Sequence, residues 1–353
     1  MNEKMIEGCL LGTAVGDALG LPFEGLSKKR GQKLLGCPGN FHFLLGRGMV
    51  SDDTEHTCIV AQSLVLSVGN VETFQKALAS RFRRWIVLLP AGVGMATAKA
   101  CIRLLVGYSA KTSGVWSAGN GPAMRSAILG AYFGDDVHSM QPFVQCNARI
   151  THTDPQAELG AFAIALAASL ASRGHQVASH ELVDTFQEMT SQQPESAPFV
   201  ELLKQMAQSI DRGETTAEFA QSMGLSQRVG GYVGHSVPVV LHCWLSNQTD
   251  FSNAVISIIE CGGDTDTNAA MVGGIVGARV GRVGIPQRWL DGICEWPMTI
   301  ERMSQLASQL AKSKELQVPG KPVSVGAIGL LLRNVFFLLV VLFHGFRRLL
   351  PPY

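Results

Sequence analysis

Glycine recurs every fourth residue in two apolar stretches of this 353-residue chain. The positions are Gly8, Gly12, Gly16 and Gly20 in the first stretch, and Gly273, Gly277 and Gly281 in the second. Residues four apart share one face of an α-helix, and a glycine inside a helix costs about 1 kcal/mol relative to alanine. Close approach of another backbone to the glycine face can offset that cost. Both patterns therefore predict helices that pack very closely against a neighbour.

Helical periods of apolar residues continue through residues 1–315, whereas the alternation typical of β-strands is nearly missing. No internal repeat of fixed period and no second soluble domain can be recognised. The sequence therefore predicts one all-α domain over residues 1–315, a compact orthogonal multi-helix bundle.

Composition and charge narrow the class of protein. Hydrophobic residues make up 46% of the chain and charged residues 16%, so a large core can be buried, which excludes a disordered tail or a small disulfide-stapled domain. With 29 Lys and Arg against 28 Asp and Glu, no net field would recruit nucleic acid. We therefore expect no direct nucleic-acid binding.

The cysteines and the first residues indicate a cellular compartment. The eight cysteines are far apart, and no pair has the two-residue spacing of zinc or dithiol sites. The first residues lack the basic and apolar regions of a secretion signal. We therefore expect free thiols and a cytosolic catalytic domain.

The C-terminal segment is the most apolar part of the chain. From Val323 to Phe343, 16 of 21 residues are apolar, and about 20 helical residues suffice to cross a bilayer. We predict that residues 316–322 form a linker and that residues 323–353 form a hydrophobic helix that anchors the domain to a membrane. Arg333 opposes this prediction, because an arginine at mid-span costs about 2.5–3.5 kcal/mol on insertion scales. The alternative is a helix that docks on the domain or on a second copy, or lies in the membrane interface.

Two short acidic boxes each precede an apolar helical stretch. They are Ser51-Asp52-Asp53-Thr54 and Asp264-Thr265-Asp266-Thr267. Either box alone could be a helix N-cap, since Ser, Thr and Asp satisfy free backbone amides there. Together, their carboxylates exceed what a cap can use, and a divalent cation would neutralise their repulsion. Oxygen ligands without His or Cys favour Mg²⁺ or Mn²⁺, and Gly262 and Gly263 permit a tight loop before the second box.

A third acidic element surrounds the end of the first predicted helix. Asp17 lies among apolar residues, where an unpaired carboxylate is expensive, so it should have a partner. Support of a metal loop and catalysis both remain open for it. Glu24 follows Pro22 in a loop predicted to be mobile, which suits a residue that closes over a substrate.

Two further segments could contact a substrate. Residues 116–125 form a glycine turn that opens a helix, a shape that can offer backbone amides to a phosphate. Residues 150–155 place His152 before another helix, where it could be a capped loop histidine or a substrate contact.

In their order along the chain, these motifs resemble the ADP-ribosylglycohydrolase family. The resemblance extends from about Gly8 to about Gly281. Its blocks are Gly16-Asp17-Ala18-Leu19-Gly20 with Glu24, the box at 51–54, Gly119-Asn120-Gly121 with Ala123-Met124-Arg125, Thr151-His152-Thr153, Gly231-Tyr232-Val233 with His235 and Pro238, and Gly262-Gly263 with the box at 264–267. The hydrophobic tail lies outside the family pattern.

The resemblance implies an all-α fold with a dinuclear metal centre, two Mg²⁺ or Mn²⁺ ions, in an ADP-ribose cleft. The implied metal ligands are Ser51, Asp52, Asp53, Asp264, Asp266 and Thr267. The implied substrate-binding residues are Ser117, Gly119, Asn120, Gly121 and His152. Glu24 and Asp53 are the implied catalytic residues, and which of them carries the proton is left open.

The implied function is a metal-dependent hydrolase that removes ADP-ribose from a modified protein or other acceptor. It would cleave the glycosidic bond at the anomeric carbon of the distal ribose through an oxocarbenium-like state, which metals and an acidic shell would favour. Two other functions stay open: a non-catalytic ADP-ribose-binding or structural protein, and a hydrolase of another nucleotide-ribose compound.

Overall fold

The computed structural model describes residues 2–351 of the chain, which are predominantly helical. The α-helices are α1 (Asn2–Gly20), α2 (Lys28–Leu35), α3 (Asp52–Ser67), α4 (Val71–Val87), α5 (Met95–Leu105), α6 (Gly121–Met124), α7 (Ala127–Phe133), α8 (Val137–Arg149), α9 (Pro155–Ser172), α10 (Ser179–Met189), α11 (Ala197–Asp211), α12 (Thr216–Ser222), α13 (Val233–Ser246), α14 (Phe251–Ile259), α15 (Thr265–Val280), α16 (Gln287–Gly292), α17 (Ile300–Leu316) and α18 (Ala327–Arg347). Within residues 2–351 no β-strand forms, and only isolated bridges join loops. The all-α prediction is confirmed.

The two glycine faces pack against each other, and this contact organises the core. A Cβ atom added at Gly12 would lie 2.1 Å from the carbonyl oxygen of Gly273, and one added at Gly8 would lie 2.1 Å from that of Gly277. No side chain fits into such a gap, so α1 and α15 are in backbone contact. The sequence predicted two close-packing helices, and the structure shows that each is the partner of the other.

The direction of this pairing brings the acidic segments together. The contacts run in opposite order along the two helices, from Gly8 beside Gly277 to Gly20 beside Thr265, so the helices are antiparallel. The Thr265 hydroxyl donates to the carbonyl oxygen of Gly20 at 2.8 Å, across a separation of 245 residues in the sequence. The end of α1 therefore lies beside the start of α15.

Helix α18 lies on the outside of the domain and is held there by hydrogen bonds. It begins at Ala327, later than the predicted start at Val323. The segment before it is not helical, and hydrogen bonds attach that segment to the domain. The amide of Gly320 donates to the carbonyl oxygen of Val65 at 3.0 Å, and the Gln62 side chain donates to that of Val323 at 2.9 Å. The predicted linker is therefore fixed to α3.

Arg333, the residue that opposed a membrane-crossing helix, is buried against the domain. Its guanidinium donates to both carboxylate oxygens of Glu295 at 2.8 Å and to Glu55 at 2.9 Å. The neighbouring Asn334 side chain donates to the carbonyl oxygen of Leu88 at 2.7 Å. The arginine therefore has protein partners and does not depend on a second helix or a water defect in a bilayer.

Two helices in the described part of the chain are long and apolar enough to cross a bilayer, judged by length and composition alone. The window Glu3–Phe23 is 94% buried in the core, whereas Ala327–Arg347 is 22% buried. Membrane crossing by α18 stays a prediction.

Candidate active site

Three helix ends converge to form an acidic cluster. Helix α3 begins at the first acidic box and α15 at the second, and Glu24 follows the turn after α1. Carboxylate oxygens of Glu24, Asp264 and Asp266 lie within 4.8 Å of one another. The Thr267 hydroxyl donates to Asp53 at 3.3 Å and joins the two boxes. The two boxes, distant in sequence, therefore form one site.

Asp17 anchors the first acidic box. Its buried carboxylate accepts hydrogen bonds from the amide of Ser51 at 2.9 Å, from the amide of Thr54 at 3.2 Å and from the Thr54 hydroxyl at 2.5 Å. Burial raises the pKa of Asp17 to about 7, although these hydrogen bonds oppose the rise. Asp17 is not among the described residues that line the cleft. Its contacts therefore favour support of the box over catalysis.

The other carboxyl groups of the cluster resist ionisation without a cation. Burial raises the pKa values of Asp53 and Asp266 well above their ordinary range, and neighbouring carboxylates raise them further. Burial also raises the pKa of Asp52, with Glu55 as the second cause. Several buried carboxylates can all be charged only if positive charge lies among them.

Two carboxylate oxygens of the cluster are buried and have no hydrogen-bond partner among the described residues. They are Oδ1 of Asp53 and Oδ1 of Asp266, one from each box. Buried polar atoms normally have partners, and an orphaned carboxylate oxygen is the kind of atom that a hard cation binds. The residues therefore fit a metal ion held between the boxes. Because the donors are oxygens alone, Mg²⁺ or Mn²⁺ suits them better than zinc.

The remaining predicted ligands differ in accessibility. Asp264 lines the cleft and accepts a hydrogen bond from the Asn120 side chain at 2.7 Å. Ser51 is buried, caps α3, and donates its hydroxyl to Asp53 at 2.9 Å. Asp52 also lines the cleft. Ser51 therefore differs from the other predicted ligands because its hydroxyl is already engaged in the cap.

Glu24 lies at the mouth of the cleft on a loop whose backbone is tied at both sides. The amide of Gly25 donates to the carbonyl oxygen of Gly263 at 2.6 Å, and Arg348, just after α18, donates to that of Glu24 at 2.8 Å. Partial burial raises the pKa of Glu24, as does Asp264, while Arg348 lowers it. The backbone of this loop is therefore hydrogen-bonded while the Glu24 side chain is exposed, and the mobility of the loop stays a prediction.

The glycine pair before the second box adopts the backbone that the sequence predicted. The φ angle is +70° at Gly262 and +89° at Gly263, values that disfavour other residues. A Cβ atom at Gly263 would also lie 2.4 Å from the carbonyl oxygen of Val229, which accepts from the amide of Asp264 at 2.9 Å. This tight loop sets the position of Asp264.

The glycine turn and His152 lie against each other. A Cβ atom at Gly119 would lie 3.2 Å from Nε2 of His152, and one at Gly121 would lie 3.0 Å from its Cε1. The amide of Asn120 donates to the carbonyl oxygen of Gly231 at 2.9 Å. Glycines at these two positions leave room for the imidazole, so the turn and the histidine form one wall of the cleft.

Arg125 supports this wall from behind. Its buried guanidinium donates to the Thr151 hydroxyl at 2.7 Å and to the side chain of Asn147 at 2.7 Å. The Thr151 hydroxyl in turn lies 2.9 Å from Nδ1 of His152. Burial, followed by the positive charge of Arg125, lowers the pKa of His152 to about 3. The imidazole is therefore neutral at physiological pH, which suits substrate binding rather than general acid catalysis.

These walls enclose a cleft of about 560 Å³. Every predicted site residue except Ser51 lines it. Sequence reasoning missed two other parts of the lining: Gly92 with residues 94–97, and Arg228 with Gly230. Closely spaced glycines were the available signal for both, whereas nothing in the periodicity marked Arg228. The described lining carries five carboxyl groups and one arginine, so carboxyl groups predominate among its ionisable side chains.

Comparison with known proteins points to one family. The family model described as ADP-ribosylglycohydrolase matches residues 2–319. An uncharacterized protein of Archaeoglobus fulgidus is similar to this chain, with 29% identity over 87% of this chain and 96% of that protein. ADP-ribosylhydrolase ARH3 of Bos taurus is 27% identical, over 82% of this chain and 88% of its own length. The ADP-ribosyl-(dinitrogen reductase) glycohydrolase of Rhodospirillum rubrum is 26% identical, over 84% and 91%.

A solved structure has the same fold. It is described as an ADP-ribosylglycohydrolase-related protein complex and has a TM-score of 0.61 and 24% identity, covering 89% of this chain and 99% of that chain. The range matched by the family model ends at residue 319, before α18 begins.

Proposed function

The chain belongs to the ADP-ribosylglycohydrolase family, and we propose that its cleft uses bound metal ions to cleave the glycosidic bond at the anomeric carbon of the distal ribose. As a glycohydrolase of this family, the protein removes ADP-ribose from an acceptor. In the proposal, the acceptor is an ADP-ribosylated protein or another ADP-ribosylated molecule.

The observation that carries the metal dependence is the pair of orphaned oxygens on Asp53 and Asp266. In the proposal, two Mg²⁺ or Mn²⁺ ions are held by Ser51, Asp52, Asp53, Asp264, Asp266 and Thr267. When bound, the ions would supply positive charge that orients the ribose hydroxyls and acidifies a water molecule. They would also allow the buried carboxyl groups to ionise together.

The charge distribution of the cleft suggests how ADP-ribose would lie. In the proposal the acidic cluster is occupied by the ions and by the ribose hydroxyls that they orient, so the phosphates belong at the wall that carries no carboxylate. That wall is formed by the turn at 119–121 and by neutral His152, with Ser117 nearby in the lining. We place the diphosphate there and the distal ribose at the acidic cluster. Asn120 bridges the two parts, because its side chain donates to Asp264.

Glu24 is the residue that we propose to move the proton. Its side chain is exposed at the cleft mouth, and its raised pKa keeps a proton available closer to neutral pH. Asp53 is buried and accepts from Ser51 and Thr267, which suits orienting water more than exchanging protons with solvent. The surrounding carboxylates would stabilise the positive charge of the oxocarbenium-like state.

ADP-ribose release from peptides modified on arginine or on serine, with and without Mg²⁺ or Mn²⁺, tests this proposal. Glu24→Gln should lower kcat by about 10²–10⁴-fold, the usual contribution of a general acid or base, at an unchanged melting temperature. Asp266→Asn should weaken metal binding, measured by calorimetry, together with turnover. Glu188→Gln removes an exposed carboxylate outside the cleft and is the matched control.

Other outcomes would identify the rival functions. ADP-ribose binding without release from any substrate would indicate a non-catalytic binding protein. Turnover restricted to another nucleotide-ribose compound would indicate a hydrolase of that class. Full turnover after chelation, with metal content verified by elemental analysis, would contradict the metal site.

A further inference from the structure

Helix α18 has two faces of opposite character. The side chains of Arg333, Asn334, Phe337 and Val340 are buried against the domain. On the other side, Ile328, Leu332, Val335, Leu339, Phe343 and Phe346 are exposed. These six residues recur every three or four positions, so they form a continuous apolar strip, here called the outer face, about 30 Å long at 1.5 Å per residue. Soluble proteins rarely leave an apolar strip of this size in water, so such a strip indicates a binding surface.

Two exposed leucines lie on the turns that hold α18. Leu45 is 98% exposed and lies two residues after Phe43, whose carbonyl oxygen is 2.7 Å from Nε2 of His344. Leu89 is 65% exposed and directly follows the residue that accepts the Asn334 hydrogen bond. Both leucines have positive φ, +48° and +55°, an uncommon backbone for leucine. Apolar side chains from three segments are therefore exposed at or beside α18.

The surroundings of the outer face are basic. Apart from the buried Arg333, residues 316–353 contain three Lys or Arg and no Asp or Glu. The adjoining domain adds Arg84, which donates to the carbonyl oxygen of Val325 at 2.8 Å, and Arg30, which donates to that of Arg348. An apolar strip bordered by positive charge matches the chemistry of an anionic lipid surface.

We propose that the outer face of α18 binds the surface of an anionic membrane, with α18 lying in the membrane plane while its inner side stays docked on the domain. The apolar side chains would enter the boundary between headgroups and acyl chains, and the basic residues would contact headgroups. This inference concerns a segment beyond the family match and goes beyond the proposed hydrolase reaction.

The docked contacts favour an in-plane helix over a crossing one. Crossing would remove Arg333 from Glu55 and Glu295, leaving two largely buried carboxylates without their cation. It would also place the guanidinium in hydrocarbon. In-plane binding keeps every one of these contacts and covers only the outer face.

Charge also favours lipid over a second copy of the chain. Two copies that met through the outer face would bring together tails whose charged residues are all basic, so like charges would oppose each other. Anionic headgroups bring the opposite charge. A lipid surface therefore satisfies both the apolar and the charged part of this region.

Flotation of the full chain with vesicles tests the proposal. Phosphatidylcholine vesicles would be compared with vesicles in which one lipid in five is phosphatidylserine. We expect about tenfold or stronger binding to the anionic vesicles, because each basic residue near the surface adds attraction, and weaker binding at high salt. The triple variant Leu332→Gln, Leu339→Gln, Phe343→Gln should lose binding and keep hydrolase activity in solution.

A matched variant controls for the loss of exposed apolar residues in general. Ile102→Gln, Leu105→Gln, Val106→Gln changes three exposed apolar residues at the end of α5, away from α18, and should bind vesicles as the unchanged protein does. Circular dichroism of both triple variants verifies that they fold.

Three results would overturn the proposal. The first is no flotation of the full chain with either vesicle. The second is a dimer in solution that the α18 variant, but not the α5 variant, converts to a monomer, which identifies a second copy as the occupant. The third is binding that resists alkaline extraction together with a C-terminal tag protected from protease inside sealed vesicles, which identifies a crossing helix.

Discussion

Helices α1 and α18 are both long and apolar enough to cross a bilayer, yet they occupy opposite places in the molecule. Each candidate span has 21 residues, but 94% of the apolar window in the span that includes α1 is buried, against 22% of the window in α18. Helix α1 carries a glycine face and packs on another backbone, whereas α18 carries bulky Leu and Phe side chains around most of its circumference. Apolar composition alone therefore does not determine where a helix lies; the size of the side chains on each face does.

Each of these helices also buries one charged residue, and the two charges have different partners. Asp17 of α1 receives hydrogen bonds from neutral groups of the first acidic box. Arg333 of α18 is paired with two glutamates. The first arrangement leaves a carboxyl group with a raised pKa beside the candidate metal site, and the second attaches a helix to the surface.

The largest expected effect comes from a substitution in the glycine face. Gly12→Val would place a Cβ atom 2.1 Å from the carbonyl oxygen of Gly273, so α1 and α15 would have to separate. We expect a loss of about 5 kcal/mol or more, the extreme for a single substitution, and little folded protein. Soluble yield and circular dichroism measure this.

A glycine of α18 provides the control for the Gly12 substitution in α1. Gly345 is a glycine of α18 with nothing within 4 Å of an added Cβ. Gly345→Ala should stabilise the protein by up to about 1 kcal/mol, because alanine is the better helix former. If Gly12→Val were as stable as Gly345→Ala, the backbone contact between α1 and α15 would be refuted.

Removing the charge of α18 should have the next largest effect. Arg333→Met keeps much of the side-chain volume but leaves Glu55 and Glu295 without their cation, so we expect a loss of about 3–5 kcal/mol in the free energy of unfolding. Urea titration measures it. Arg347→Met, on the exposed end of the same helix, should change little. Equal stability of the two variants would mean that contacts other than the Arg333 ion pairs attach α18.

Metal removal should make the stability of the protein depend on pH through Asp17, the buried carboxyl group of α1. In the metal-free protein, burial raises the pKa of Asp17 to about 7, against about 3.9 for an unfolded aspartate. Between these values the folded state binds more protons than the unfolded state, so the stability of the metal-free protein should fall as pH rises from about 4 to 7. We expect a loss of about 4 kcal/mol over the whole titration, because the two pKa values differ by about 3 units and each unit corresponds to about 1.4 kcal/mol.

Calorimetry after chelation, at a series of pH values, measures this dependence. Added Mn²⁺ or Mg²⁺ should raise the melting temperature most at the neutral end of the series, because ligands must be deprotonated. A metal-free protein whose stability instead rises between pH 5 and 7 would contradict the prediction, as would a melting temperature that does not respond to either ion.

The smallest expected effect lies where α18 reaches the cleft. Arg348 donates to the carbonyl oxygens of Pro22 at 2.9 Å and Glu24 at 2.8 Å. Arg348→Gln should lower kcat about fivefold, which corresponds to about 1 kcal/mol, while KM and melting temperature stay nearly constant. Steady-state kinetics without vesicles measure this, and Arg347→Gln is the control. A change in KM alone would mean that Arg348 acts on substrate binding instead of on the Glu24 loop.

The sequence predicted local geometry well, because local geometry depends on residue type. The positive φ angles at Gly262 and Gly263 and the helix starts at both acidic boxes follow from glycine and capping chemistry. The glycine spacing likewise predicted which faces of α1 and α15 permit close approach. It could not show that the two faces meet, because periodicity defines a face and not its partner.

Hydrogen bonds and ion pairs between residues that are distant in the sequence could not be predicted. Nothing local to Arg333 indicates that Glu55, 278 residues away, accepts its hydrogen bond. The bond from Arg348 to the Glu24 loop, across 324 residues, is of the same kind. Arg228 lines the cleft, yet no sequence signal indicated it. Its position depends on the contact of the neighbouring Val229 with Gly263, which is distant in the sequence.

The antiparallel contact of α1 with α15 has a consequence for how this enzyme can diversify. Because backbone atoms set the separation of the two helices, no rotamer change can lengthen or shorten the distance between the elements that carry the acidic residues. Loops around the cleft can exchange residues without disturbing that distance. Acceptor preference is therefore free to change by loop substitution or grafting, while the geometry of the acidic cluster is inherited unchanged.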